Sequence, residues 1–407
     1  MLANFSREYN INRLLLSSSG LWPFQNRFAR ISLQTISFLV LISYSPFQIL
    51  LLYDYWGNGQ MVFEGCFQIA NWAAFFVRIV NSFVHYDKLQ QLYETMDEHW
   101  NIFTNEIEVQ ILKDYSVLSR NFTKYYLTIM YSGVISGFIV VPLIPVFLDI
   151  VLPVNESRAR FLAIEIDEYR LNKDEYFLLF FCYTNSVIVM GINIVVGVDA
   201  MHITCTAHAC SLFAAVSKHI ESLVLKINKS SKMRESGYYM SMTFDTSNEE
   251  LIYREYITCL KKHQIAIDFV DLLDSTYQGL SLFILISGTG IFTLTSIRMV
   301  YVLDQLNWQE MAKFIFIIMG ALLTLFIGCY SGQILMDESQ NVFSQAYATK
   351  WYDFSPRLKS LLIIILYRSN VPCELKAGNI VPLSIMTYAG VVRMGVSYLT
   401  AFLSLKN

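Results

Sequence analysis

His202, Cys205, His208 and Cys210 fall within nine residues, and all four side chains can ligate a metal. On one helix, at about 100° per residue, they would point to about 0°, 300°, 240° and 80°. Such a spread cannot converge on one ion, and no second ligand pair stands out elsewhere. The four read as a packed helix end, with no metal site. Gly288-Thr289-Gly290 offers the glycines of a phosphate loop, but no strand precedes it and no Lys follows. Glycines so placed more readily let membrane helices approach closely. No G-x-S-x-G, H-E-x-x-H or P-loop occurs, so the chain offers no catalytic constellation and calls for no cofactor. An enzyme is the weakest reading.

Three charges interrupt apolar stretches: Glu64, Arg78 and Arg393. Charges inside spans are costly and often functional. Glu64 and Arg78 stand 14 residues apart, about 21 Å along a helix, too far to pair directly. Each sits near a span boundary, where snorkelling to water accounts for it. Arg393 is deeper. It is expected to turn into protein and pair with a carboxylate on a neighbouring helix, since facing a cation pathway would repel the ion.

The elements that must position these residues are set by composition. Of 407 residues, 54% are hydrophobic, 15% aromatic and only 15% charged, where a soluble domain has about 25% charged. Mean hydropathy is +0.42. A soluble enzyme is excluded in favour of an integral membrane protein. The net charge of −3 leaves no electrostatic footprint for nucleic acid. Seven cysteines, odd in number and irregular in spacing, sit mostly in apolar runs and read as small buried hydrophobes.

Five charge-free runs are each long enough to span a bilayer: Ile31–Tyr53, Tyr125–Leu148, Tyr176–Val198, Ser275–Ile297 and Phe314–Met336. Two more, around Gly65–Val77 and Ile380–Leu403, span only with a charge inside or at their edge. The expected fold is all-α and polytopic, one seven-helix unit over 1–407. Its spans are placed at about 31–53, 62–84, 125–149, 176–200, 274–300, 312–336 and 380–404. Lys and Arg in the loops divide 21 to five, which places the N-terminus in the cytosol and the C-terminus outside. The segments 85–124, 201–271 and 337–379 then form a cytosolic helical bundle. Lys88–Trp100 and Leu251–Leu273 carry apolar residues at helical period, and Ser360–Tyr367 is too short to span. Pro142 and Pro145 should kink the third span. Of four N-x-Ser/Thr sequons, only that at Asn155 falls on the expected outside, a glycosylation candidate.

The last third carries an ordered set of short motifs: Ser331-Gly332-Gln333, Asp337-Glu338-Ser339, Ala346-Tyr347, Trp351-Tyr352, Arg368-Ser369, Pro372, Leu375, Ala377-Gly378, Leu383-Ser384, Arg393 and Ser397-Tyr398. Their order and spacing resemble the C-terminal region of insect odorant receptors, especially the ant, bee and wasp type. Ala207–Phe213 is similar as well. The sister gustatory receptors end with Thr-Tyr, five residues, then Gln-Phe. Here Ser397-Tyr398 and Ser404-Leu405 occupy those positions, which favours the odorant branch. The chain lacks the long insertion of the olfactory co-receptor before the fifth span, and so resembles a ligand-tuning subunit. A G-protein-coupled receptor is disfavoured by the inside N-terminus and by the missing Asp-Arg-Tyr and Asn-Pro-x-x-Tyr motifs.

The resemblance implies an odorant-gated, non-selective cation channel, assembled as a heterotetramer with the co-receptor in the plasma membrane of olfactory dendrites. Its partners would be a small volatile odorant, membrane lipid and permeant cations. It implies a pore lined by the last helix, with Ser397, Ala401, Ser404 and Leu405 near the gate. It also implies an odorant site in the outer half of spans 2 to 6. A volatile ligand offers few hydrogen bonds, so enclosure must be apolar and aromatic. Span 2 offers Gln68, Ile69, Trp72 and Ala73, and span 3 offers Gly137, Val141, Ile144 and Pro145. Span 4 offers Phe181, Tyr183, Thr184 and Val187. Span 5 offers Phe292, Thr293 and Ser296, and span 6 Phe314 and Ile318. Trp72, Tyr183 and Phe292 are the leading candidates.

Overall fold

A computed structural model describes residues 2–57, 59–152, 160, 162, 176–235, 246–305, 308–349 and 351–406. Two short helices, α1 (Ala3–Glu8) and α2 (Asn10–Ser18), lead into α3 (Arg27–Asp54) and α4 (Gly59–Val84). Next come α5 (Tyr86–Ile102), α6 (Glu106–Val134) and α7 (Val141–Val151). The long helices α8 (Phe177–Glu235), α9 (Thr246–Gln305) and α10 (Trp308–Tyr347) follow. The chain closes with α11 (Pro356–Ser369), a small hairpin of β1 (Lys376–Ala377) and β2 (Val381–Pro382), and α12 (Ile385–Lys406). Asn155 and the segment around it lie outside the described residues.

Among the described residues, five helical stretches are long and apolar enough to cross a membrane: Arg27–Asp54, Glu106–Val151, Phe177–Leu223, Glu250–Leu303 and Glu310–Tyr347. Each coincides with one of the charge-free runs, the third save for its first residue, Tyr176. Helices α4 and α12, of 26 and 22 residues, have the length of a span, about 20 residues. The protein is an all-α, polytopic membrane protein. Helix α8 is central and packs on α6, α9 and α10, while α4 leans on α3 and α9.

The third apolar stretch is not one regular helix. Residues Ile135–Val140 form a π-helical turn joining α6 to α7. Pro142 follows at once and has no N–H to donate to the turn before it, so the helix widens there rather than continuing its α ladder.

The α3–α4 and α9–α10 connections lie at one end of the molecule, called here the hairpin end. At the other, the bundle end, α5 and α11 join the extended ends of α6, α8, α9 and α10. The core there holds Leu92, Tyr93, Met96, Leu212, Phe213, Tyr256 and Phe269, all buried. Helices α1 and α2 lock into it. Phe5 and Tyr9 are buried, Phe5 N–H donates to Asp97 Oδ1 at 2.7 Å, and Asn12 Nδ2 donates to Thr204 at 3.0 Å.

The β1–β2 hairpin anchors the start of α12. Gly378 and Asn379 both have positive φ (60° and 61°) and, with Ile380, make the short turn between the paired Ala377 and Val381. Gly378 N–H donates to the Gln278 carbonyl at 2.9 Å, and Lys376 N–H donates to Asp274 at 2.7 Å. The root of α12 is thereby tied to α9.

Candidate ligand cavity and the charges that bound it

A cavity of about 230 Å³ lies between α4, α6 with its π turn, α8, α9 and α10. Helical period explains which residues meet there. Helix α4 contributes Glu64, Phe67, Gln68, Asn71, Trp72, Phe75 and Arg78, a stripe at spacings of three and four. Helix α10 contributes Lys313, Phe316, Ile317, Gly320, Ala321 and Thr324 by the same rule, and α9 contributes Ile284, Ser287, Gly288 and Ile291. Helix α8 adds Val187 and Ile188, and the third apolar stretch adds Gly133, Val134 and Phe138. Walls of this kind hold a small apolar molecule by enclosure.

Polar groups sit at the two ends of the α4 stripe. Toward the bundle end, Arg78 Nε donates to Asp199 Oδ1 at 2.9 Å and Nη2 to Oδ2 at 2.8 Å, while Nη1 donates to the Ala74 carbonyl at 2.7 Å. Tyr126 donates to the same carboxylate at 3.3 Å. Toward the hairpin end, Glu64 accepts from Gln68 Nε2 at 3.1 Å. Gln68 Oε1 accepts from Tyr44 at 2.5 Å, and Tyr44 accepts from Gln48 at 2.6 Å. Glu64 is thus braced from α3. It also faces Lys313 at 3.6 Å and Arg298 at 4.0 Å.

Snorkelling is therefore corrected for both residues. Glu64 and Arg78 are 4% and 3% exposed, so neither reaches water. Each is paired on a different helix, because a charge in a low-dielectric interior needs a partner there. Arg393 is corrected in the other direction. It is exposed on α12 and belongs to none of the ion pairs among the described residues.

Of the residues singled out from sequence, Gln68, Trp72 and Val187 line the cavity. Trp72 is held in place by donating its indole N–H to the Leu41 carbonyl at 2.7 Å. Ile69 and Ala73 sit half-buried on the neighbouring face of α4. Gly137 is buried against Phe316 at the cavity edge. Val141 is half-buried, Ile144 exposed and Pro145 buried, all beyond the π turn. Phe181 stacks on Phe177, and Thr184 bonds to the Phe180 carbonyl at 2.9 Å. Tyr183 turns to α3, its hydroxyl 2.9 Å from that of Ser43 and its ring on Phe47. Phe292 is buried against Gly395 of α12, beside Thr293. Ser296 bonds back to the Phe292 carbonyl. Phe314 is buried edge-on to Phe67, and Ile318 is half-buried.

Phe75, Phe316, Asn71 and Lys313 were missed. On α10, a stripe read from Phe314 and Ile318 is rotated by one residue from the stripe that faces inward. Lys313 gave a usable signal, a cation at the start of an otherwise charge-free run.

The four metal-type residues of α8 meet four different surroundings. His202 packs on Tyr277, Cys205 approaches Met96 Sδ at 3.6 Å, and Cys210 is buried. His208 lies 3.1 Å from His99 and 3.3 Å from the Tyr9 hydroxyl.

On α12, Ser397, Ala401 and Ser404 are exposed on one face, with Arg393 a turn before them. Leu405 continues that helix.

The model of the family described as 7tm Odorant receptor matches residues 58–396. The chain belongs to this odorant receptor family. It is 26% identical over 154 residues to odorant receptor 22a of Drosophila melanogaster, covering 37% of this chain and 38% of that protein. It is 25% identical over 162 residues to the odorant receptor coreceptor of Aedes aegypti, covering 40% and 34%. These alignments therefore span well under half of either relative. Among solved structures, the insect olfactory receptor OR5 of Machilis hrabei matches with a TM-score of 0.79 over 99% of both chains, at 12% identity. Its complex with eugenol matches with a TM-score of 0.74 at 14% identity. The odorant receptor fold thus extends over the whole chain, α1 and α2 included.

Proposed function

We propose that this odorant receptor is the ligand-tuning subunit of an odorant-gated, non-selective cation channel. The cavity between α4, α6, α8, α9 and α10 is its odorant site, and α12 lines the pore. The observation that carries the reading is the placement of adjacent residues on α9 and α10. On α9, Ile291 faces the cavity while Phe292 lies against Gly395 of α12. On α10, Leu325 faces the cavity while Phe326 packs edge-on to Tyr388 of α12, ring centres 5.4 Å apart. Tyr301 and Phe402 make a third such contact at 5.8 Å. A ligand that shifts α9 or α10 moves the last helix directly.

Ser397, Ala401 and Ser404 form the small, exposed face of α12 and, with Leu405, line the gate. A constriction of this kind opens by separating and wetting its walls. To drive the switch the ligand must favour the open state by several kcal/mol. Exposed Ile129 and Met319 flank the cavity between α6 and α10, which gives apolar ligands a route from lipid. The subunit assembles with the olfactory co-receptor as a heterotetramer. It sits in the plasma membrane of olfactory dendrites with its N-terminus and the helical bundle in the cytosol. Asn155 is the glycan site on the outside.

Whole-cell current tests this. Cells expressing the chain with and without an insect olfactory co-receptor are exposed to an odorant panel. A fast inward cation current that needs both subunits and survives G-protein blockade is expected. A response abolished by that blockade rejects the channel mechanism.

A further inference from the structure

The hairpin end of the cavity holds a cation, Lys313, that makes no hydrogen bond among the described residues. Lys313 is 7% exposed and lines the cavity. Its nearest carboxylate oxygen, Glu64 Oε1, is 3.6 Å away, outside the usual hydrogen-bond range of about 2.7–3.2 Å. That oxygen is already taken by Gln68 Nε2 at 3.1 Å. Among the described residues the ammonium otherwise meets the ring of Phe314, 4.7 Å from its centre. A lysine buried in this way normally spends its donors.

The surroundings narrow what could complete it. Arg298, outside the lining, lies 4.0 Å from Glu64 and 3.8 Å from Glu310, so among the described residues two cations and two carboxylates meet beside this end of the cavity. Their charges cancel. An added carboxylate or ammonium would leave a net charge in a low-dielectric site. A neutral oxygen would not, and it could accept directly from Lys313. The remaining wall is apolar, with Trp72, Val187, Ile291 and Phe316 around the space. A dry cavity of about 150 Å³ holds benzene, so 230 Å³ accommodates roughly nine heavy atoms.

We infer that Lys313 is the specificity-determining residue of the cavity, and that its ligand is a neutral apolar molecule of about that size carrying one hydrogen-bond-accepting oxygen, a ketone, aldehyde, ester or alcohol. This rests on the cavity being the odorant site. Glu64, braced through Gln68, Tyr44 and Gln48, holds Lys313 ready without occupying it.

The test compares four probes matched in size: octan-2-one, octan-1-ol, nonane and octylamine. Binding to the purified full chain is read from ligand-induced shifts in thermal unfolding. Octan-2-one and octan-1-ol should bind about tenfold to a hundredfold more tightly than nonane, the worth of one hydrogen bond to a charged group. Lys313→Met should remove that margin and leave nonane unchanged. Where that variant does not fold, Glu64→Met with Lys313→Met removes both buried charges and every donor at the two positions, and should give the same levelling. Equal losses for nonane and octan-2-one overturn the inference, as does tightest binding of octylamine or no binding of either oxygenated probe to the wild type. Val187→Trp, which fills the cavity, separates the two ideas. If all probes still bind that variant, the cavity reading itself has failed. If it abolishes binding while Lys313→Met changes nothing, only the role of Lys313 has.

Discussion

Arg78 of α4 and Asp199 of α8 form a two-pronged ion pair in the apolar part of the molecule, with both N–O contacts under 3 Å. Two nitrogens of the guanidinium fork meet the two carboxylate oxygens, and the Ala74 carbonyl and Tyr126 hydroxyl take up remaining capacity. Breaking one side leaves an uncompensated buried charge. Arg78→Gln is expected to cost about 3–5 kcal/mol and to lower the thermal midpoint and surface yield of the protein. Adding Asp199→Asn should recover much of the loss, which fluorescence-detected chromatography of heated samples would read.

Trp72 lines the cavity and Tyr183 does not. Trp72→Ala should weaken responses to a cognate odorant by about tenfold or more, the loss of a large buried aromatic contact, while Trp72→Phe should retain most of the response. Tyr183 faces Ser43 and Phe47 instead, so Tyr183→Phe should leave the half-maximal concentration within about twofold. Dose–response currents decide between them.

Gly332 of α10 has the Leu383 carbonyl against the place a Cβ would occupy. Backbone cannot move aside as a flexible side chain can. Gly332→Ala should therefore separate α10 from the start of α12 and cost about 1–3 kcal/mol. Because this contact joins a cavity helix to the last helix, maximal current should fall more than odorant affinity. Comparing current amplitude with half-maximal concentration checks it.

Arg393 shares the exposed face of Ser397, Ala401 and Ser404. If that face lines the cation pathway, the guanidinium repels the permeant ion. Arg393→Gln should raise inward cation conductance, most visibly at low ionic strength where charges are least screened. Unchanged conductance would place another face of α12 toward the pore.

The bundle end sets a pH optimum for stability. Burial pushes the His99 imidazole down to about 4 from 6.5. Burial, then the charge of Arg368, does the same to His263. His208 is also lowered, by burial and by His99. Their stabilisation is full above the unfolded value of 6.5 and is lost as pH falls toward 4. His219 is raised to about 10, by hydrogen bonds to Cys259 and Glu108 against the opposing effect of burial. Its contribution is full below 6.5 and is lost as pH rises toward 10. Thermal stability should therefore peak near pH 6.5, and His219→Gln should flatten the alkaline limb. Unfolding midpoints from pH 4 to 10 test both limbs.

Much of the membrane architecture was legible because a charge-free run of twenty or more residues has one physical explanation in water-excluding surroundings. Helical period at Lys88–Trp100 and Leu251–Leu273 marked α5 and the start of α9. The cavity was legible in part. Trp72, Gln68 and Val187 were found from residue type and depth. Lys313, Phe316 and Phe75 were not, because in a helix apolar on every side no polar face fixes which stripe looks inward. One step of rotation turns the Lys313–Ile317 stripe into Phe314–Ile318. Phe292 faces α12 where its neighbour Ile291 faces the cavity, a difference the same uniformity hides.

By itself the sequence determined that this chain lives in a membrane, that its helices are many and long, and, through its C-terminal motifs, to which family it belongs. These are properties of local composition and order. Which charges pair was decided only by the tertiary structure. Glu64 and Arg78 lie on one helix yet find partners on α10 and α8, 249 and 121 residues away in the chain. Electrostatic pairing in a low-dielectric interior depends on distance in space, and chain separation carries no information about it.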